Sequence, residues 1–219
     1  MAALTVALLG GESSGKTTLG QALTRQLNTL GIGATLVPEH LRDWCERAGR
    51  APTALEQAGV ADEQTRLIDQ AASSGAQVVV ADTTAMVVAA YSDRVFEDRS
   101  LHAPSLARQA RYQLTLLMGL DMPWQADGLF RDSAAMRADI DAVLRRELQS
   151  AAIPFQTVYG SAQARLQHAL RAVGSLLGRP LVAHDPLLEA GTGRWTCENC
   201  SDPECERRLF SGLLNARSG

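Results

Sequence analysis

The chain has 219 residues, of which 46% are hydrophobic and 21% charged, with a formal net charge of −3. That length suits one α/β domain with a tail, the slight acidity supplies no basic field for nucleic acid, and 5% aromatic residues supply no platform for stacked bases. No apolar run reaches membrane-spanning length and the N-terminus enters a strand without a signal-peptide pattern, so the expectation is a cytoplasmic protein with neither a membrane nor a nucleic-acid partner.

The first element is the uncharged run LTVALLG, residues 4–10, which predicts a buried parallel strand. It leads into GGESSGKT, where Gly10, Gly15, Lys16 and Thr17 meet the phosphate-loop pattern. Small residues let successive amides turn toward phosphate oxygens, and the following helix adds its N-terminal dipole. Gly11, Ser13, Ser14, Gly15, Lys16, Thr17 and Thr18 are therefore the predicted ATP contacts. Lys16 carries charge to the β- and γ-phosphates, and the Thr17 hydroxyl serves Mg²⁺. Leu19, Ala22, Leu23, Leu27 and Leu30 then recur at helical spacing up to Gly31.

A second strand is predicted over residues 34–40, followed by a polar, Arg-rich helical stretch to about residue 50. Glu39 sits at the strand's exit, placed to take a proton from an attacking hydroxyl as general base. Arg42 follows it as a substrate-binding group; the alternative for both is a surface ion pair. Residues 53–75 predict one or two helices. The run AQVVVADTT, residues 76–84, predicts a buried central strand that delivers Asp82 to the sheet's C-terminal edge, where open parallel sheets bind ligands. Asp82 is read as a Mg²⁺ partner and a catalytic and substrate-facing group; the competing role is a helix N-cap.

A further strand is predicted near residues 114–118. Beyond it DMPWQADGLFRD, residues 121–132, sets Trp124 between Asp121 and Asp127 and predicts a polar and aromatic pocket able to stack on a flat cationic ring. The alternative is that Trp124 anchors a loop to the core. Arg131 and Arg137 fall where a lid closes on phosphates, Arg131 being read as catalytic; the alternative is solvated helix charge. An amphipathic helix over 133–152, a strand over 154–160 and a helix over 161–178 complete the core. Gly160 turns the chain near an adenine, with Arg165 lying across it.

Together GGESSGKTTL, VPEHLRDW, VVVADTTAMVVAAYS, LTLLMGLDMPWQADGLFRD and PFQTVYGSAQARLQHAL resemble the kinase domain of NadR-type regulators of NAD biosynthesis, a ribosylnicotinamide kinase domain of the P-loop, AAA-type ATPase/kinase class. The resemblance spans about residues 3–175, and its D-x-P-W-x-x-D-G segment is far more specific than the phosphate loop. It implies a P-loop fold with helices on both faces of a parallel sheet. It also implies transfer of the γ-phosphate of ATP to the 5′-hydroxyl of nicotinamide riboside, with Trp124 on the cationic ring and Asp121 or Asp127 offsetting its charge or holding the ribose. Where the family often has a second acid two places after the strand aspartate, this chain has Thr84. The adenylyltransferase and DNA-binding parts of larger members are not carried over.

From residue 179 the texture turns loop-like, and Cys197, Cys200 and Cys205 crowd near the end. The expected division is a P-loop kinase core over 1–179 and a Cys-rich extension over 180–219. C-x₂-C-x₄-C offers three zinc ligands, with His184, Cys45 or His102 as the fourth. An iron–sulfur cluster and a metal-free thiol group are the alternatives. Two other functions stay open: a kinase for another nucleoside, and a nucleotide-dependent regulatory ATPase that docks a protein partner through the extension.

Overall fold

The computed structural model describes residues 3–125 and 133–182. Five strands, β1 (Leu4–Leu9), β2 (Ala34–Val37), β3 (Val78–Asp82), β4 (Leu114–Met118) and β5 (Gln156–Val158), form one sheet in the order β2-β3-β1-β4-β5. All four pairings are parallel. Every residue of β3 and β4 is buried, which explains their largely apolar sequences, since a strand covered on both faces has no solvent side; the exceptions are Thr115 in β4 and Asp82 at the end of β3.

Seven α-helices flank the sheet: α1 (Lys16–Thr29), α2 (His40–Ala48), α3 (Gln57–Ser73), α4 (Ala85–Phe96), α5 (His102–Gln109), α6 (Ala134–Ser150) and α7 (Ala162–Leu176). Alternate residues of β1 face opposite layers. Val6 and Leu8 meet Leu19, Leu23 and Leu27 of α1 and Leu170 and Val173 of α7. Leu9 faces the other way, into Met86 and Ala90 of α4 and Ile140 and Leu144 of α6. The result is the three-layer α/β architecture expected from the alternating elements.

Strand β2 stops at Val37, short of the predicted residue 40, because Pro38 has no N–H for the ladder and Glu39 caps α2. Helices α4 and α5 lie where no element was assigned. The first six residues of α4, AMVVAA, are all buried, so the helix shows no alternation of apolar and polar faces to mark its period. Its start is fixed instead by Thr84, whose hydroxyl accepts from Met86 N. Ser133 and Ser161 cap α6 and α7 in the same way.

Because all the strands run parallel, their C-terminal ends share one edge. Pairing of Leu8 with Asp82 and of Val37 with Ala81 sets Glu39, Asp82 and the loop after β1 side by side along it. The loops after β4 and β5 continue the row.

Candidate active site

The phosphate loop turns on three left-handed or glycine-favouring residues. Gly10 has φ 146°, Ser13 φ 55° and Gly15 φ 85°, the last immediately before α1. A β-carbon on Gly10 would stand 2.9 Å from Ser14 Oγ, and one on Gly11 would meet Arg137 at 3.1 Å. Ser14 Oγ donates to Gly11 O at 2.7 Å, closing the loop on itself. Lys16 Nζ lies inside, donating to Gly10 O and Gly11 O at 2.9 Å each. Thr17 and Thr18 are exposed on the first turn of α1.

Two buried arginines hold this loop from below. Arg165 is 2% exposed and fans its guanidinium over four groups. Its Nη1 donates to Ser14 O at 2.8 Å, Nε to Gly160 O at 2.9 Å, and Nη2 to Gly119 O at 3.3 Å and to Asp121 Oδ1 at 2.6 Å. So enclosed, Arg165 ties the turn at Gly160 to the phosphate loop. Asp121 is likewise committed: it pairs with Arg165 and its Oδ2 accepts from Gly160 N at 2.6 Å. The Asp121 side chain remains 34% exposed beside that pair. Arg137, on α6, donates to Ser13 O, Leu120 O and Met122 O at 3.3, 3.4 and 2.9 Å. It is 7% exposed, so it is no solvated helix charge.

The segment after β4 is stitched directly to the loop. Gln125 N donates to Ser13 Oγ at 3.0 Å, and Met122 Sδ would stand 3.2 Å from a β-carbon on Gly15. Trp124 therefore lies one residue from a direct contact with the phosphate loop, and its Nε1 is buried without a hydrogen-bond partner. Asp127 and Arg131 lie outside the described residues, as do His184, Cys197, Cys200 and Cys205.

On the other side of the loop, Asp82 is 2% exposed, and its Oδ1 and the neighbouring Thr83 Oγ1 have no hydrogen-bond partner. A buried carboxylate oxygen left unpaired at a sheet edge is costly, and a cation is the group that offsets it. With the Thr17 hydroxyl at the head of α1, Asp82 thus fits Mg²⁺. Thr83 has φ 84°, which is strained for a β-branched residue and costs on the order of 1–3 kcal/mol. Asp82 is not the N-cap of α4; Thr84 is. The Thr84 hydroxyl also donates to Gln109 Oε1 at 2.8 Å, so the residue in the place of the family's second acid faces the interior.

Glu39 and Arg42 approach to 3.9 Å, with side chains 18% and 47% exposed, a weak pair by its geometry. Glu39 also acts on Cys45, the buried residue of α2: burial first, and then this neighbouring charge, pushes the thiol up to about 11. Cys45 is 1% exposed. His102 has Asp93 Oδ2 3.3 Å from one ring nitrogen and Glu147 Oε2 3.2 Å from the other. The Cys45 and His102 side chains are both buried in the core, and the ring nitrogens of His102 face carboxylates. Among the described residues no group of three or more His, Cys, Asp or Glu is arranged to hold a metal ion, and no helix is long and apolar enough to cross a membrane.

A family model described as AAA domain matches residues 5–165. The trifunctional NAD biosynthesis/regulator protein NadR of Escherichia coli (strain K12) is 32% identical over 129 residues, 57% of this chain and 30% of that protein. The chain therefore spans under a third of the length of this relative. Among solved structures, a NadR protein in complex with NR superposes with a TM-score of 0.68 at 20% identity, over 84% of this chain and 53% of that one. A NadR protein in complex with NAD and AMP-PNP gives 0.63 at 21% identity, over 84% and 51%. These likenesses show the fold alone, an α/β domain of the kind seen in those two structures.

Proposed function

The chain belongs to the AAA domain family over residues 5–165, and from that premise we propose that it is an ATP-dependent kinase that moves the γ-phosphate to the 5′-hydroxyl of nicotinamide riboside, giving nicotinamide mononucleotide. One observation carries the reading above the rest. The Trp124 segment and the unpaired Asp82 carboxylate flank the same phosphate loop, one pinned to Ser13 and the other paired in register beside β1. This arrangement supports a reading in which an acceptor ring on the Trp124 side would lie beside phosphates cradled by the loop and neutralised by a cation at Asp82. The sequence likeness to a NAD biosynthesis protein, and the fold shared with a relative solved with NR, support a nucleoside as acceptor.

In this reading residues 1–179 are the catalytic core and 180–219 an appendage. Backbone amides from Gly11 to Thr18 cradle the phosphates, and Lys16 leaves its two loop carbonyls for the β- and γ-phosphate oxygens. Thr17 and Asp82 hold Mg²⁺, which supplies neutralisation of the phosphate charge. Trp124 stacks on the cationic ring, with Asp127 beside it, and Arg131 meets the transferred phosphoryl group. Glu39 takes the proton of the 5′-hydroxyl, Arg42 steering its carboxylate, with Asp82 the second acceptor for that proton. Catalysis of this kind is mostly positioning and charge neutralisation.

The test is ATP consumption with Mg²⁺, alone and with nicotinamide riboside, deoxynucleosides and ribonucleosides, with products identified by mass. Nicotinamide mononucleotide is the expected product, reduced on the order of 10²–10³-fold by Lys16→Ala. Trp124→Ala should raise KM for the riboside about 10-fold and leave KM for ATP unchanged. Product from a deoxynucleoside alone would replace the acceptor; slow hydrolysis with no phosphorylated product would overturn the kinase reading in favour of a regulatory ATPase.

A further inference from the structure

Glu39 and Asp82 leave neighbouring strands, and each continues into a different helix. If both face one hydroxyl, something must hold the two strand exits in register beyond the last ladder bond. We propose that Gln64, on α3, is a positioning residue that clasps the two exits together and so sets the spacing of these carboxylates.

The Gln64 side chain is 1% exposed. Its Oε1 accepts from His40 N at 2.7 Å, the residue just after Glu39. Its Nε2 donates to Pro38 O at 3.3 Å, the residue just before Glu39. The same Nε2 donates to Thr83 O at 3.3 Å, the residue just after Asp82. One amide thus holds both flanks of Glu39 and one flank of Asp82. Only an amide brings one acceptor for an N–H and two donors for two carbonyls in a single plane.

The backbone it holds is backbone that would otherwise move. Pro38 offers no N–H, so β2 ends there, and Thr83 sits at φ 84°. Thr83 N donates to Leu8 O at 3.2 Å, and Gln64 fixes the carbonyl on its other side. Release of that carbonyl frees the peptide that follows the strained Thr83, one residue beyond Asp82, to rotate. The amide itself is steady, because Ile68 and Val60 of α3, on either side of it, are packed in the core.

The kinetic part of this inference rests on the kinase reading; the structural part does not. The experiment measures Gln64→Leu and Gln64→Glu for kcat, KM and amide hydrogen exchange at His40, and crosses Gln64→Leu with Glu39→Gln. Gln64→Leu should lower kcat on the order of 10²-fold, with KM for ATP within 3-fold and faster exchange at His40. Gln64→Glu keeps the shape and the His40 bond and should fall between wild type and Gln64→Leu; it also stands in if the Leu variant does not fold. In the double variant the losses should combine to less than their product, since Gln64 acts partly through Glu39. Unchanged kcat in both single variants, or losses that multiply in full, would overturn the positioning role. Wild-type protein that phosphorylates no nucleoside would overturn the kinase reading alone, and unchanged His40 exchange in Gln64→Leu would then overturn the clasp.

Discussion

Replacing Arg165 with Met removes a planar cation from beneath the phosphate loop and keeps an unbranched side chain of comparable length. The guanidinium is 2% exposed and serves Ser14 O, Gly160 O, Gly119 O and Asp121. Ser14 and Gly119 are buried, so their carbonyls lose a partner without gaining water, at about 1–3 kcal/mol each. Gly160 is exposed and rehydrates. The Asp121 side chain is 34% exposed and keeps the Gly160 N–H, so its share lies near the ~0.5 kcal/mol of solvated pairs. The expected loss is about 4 kcal/mol, a fall in Tm on the order of 8–16 °C for a domain of this size. Freed of its anchor, the Ser14 peptide no longer aims its neighbours' amides, and ATP should bind roughly 10-fold more weakly. Thermal unfolding followed by circular dichroism reads the first effect and titration calorimetry with ATP the second. Arg165→Lys keeps the charge but not the fork that spans four acceptors, and should fall between the two. A Met variant that melts within 2 °C of wild type and binds ATP equally well would refute the reasoning. It would mean that the desolvation of the guanidinium cancels all its bonds.

Gly119→Ala should destabilise by about 1–3 kcal/mol, because the new β-carbon meets the Tyr159 ring and stands 2.9 Å from Asp121 Oδ1; an unchanged melting curve would show that the ring turns aside freely. Thr84→Ala removes the α4 cap and the Gln109 bond and should cost about 1–2 kcal/mol in urea unfolding. Thr84→Asp, at a site 1% exposed, should lower stability and raise no rate; a faster enzyme would mean that the position can turn toward the substrate. Cys45, its thiol pushed up to about 11 by burial and by Glu39, should resist iodoacetamide at pH 8 when followed by peptide mapping. A raised folded-state pKa favours the neutral thiol in the native protein. Its stabilisation is therefore whole below pH 9, declines as pH rises toward 11, and should be absent from that window in Cys45→Ala.

The phosphate loop was legible in the sequence because its physics is local: small residues, one lysine and one hydroxyl, between an apolar run and an amphipathic helix. Strand β4 was legible to the residue, since a short, mostly apolar run between polar segments admits few other readings. Arg137, Arg165 and Gln64 were present as letters but not as roles. Their partners are main-chain carbonyls and amides, which every sequence carries, brought within reach by the fold; Arg165 and Ser14 stand 151 positions apart. No spacing rule marks such a contact. Helix α4 was hidden for the opposite reason: buried on every side at its start, it has no polar face to give it a period.

The same contacts explain how the site can be rigid on one side and adaptable on the other. Around the loop after β1, two arginines supply seven bonds to main-chain and carboxylate oxygens. In the proposed reaction Lys16 carries its charge to the phosphates, held until then by two carbonyls that it can exchange for phosphate oxygens at small cost, since one set of acceptors replaces another. A second acid in place of Thr84 would stand where a hydroxyl now caps α4 and bonds Gln109, and in the proposed reaction the proton acceptor is Glu39, at the exit of the neighbouring strand β2. What then governs the proposed reaction is less the number of carboxylates at the edge than the fixed interval between Glu39 and Asp82, and among the described residues the side chain that spans that interval is Gln64.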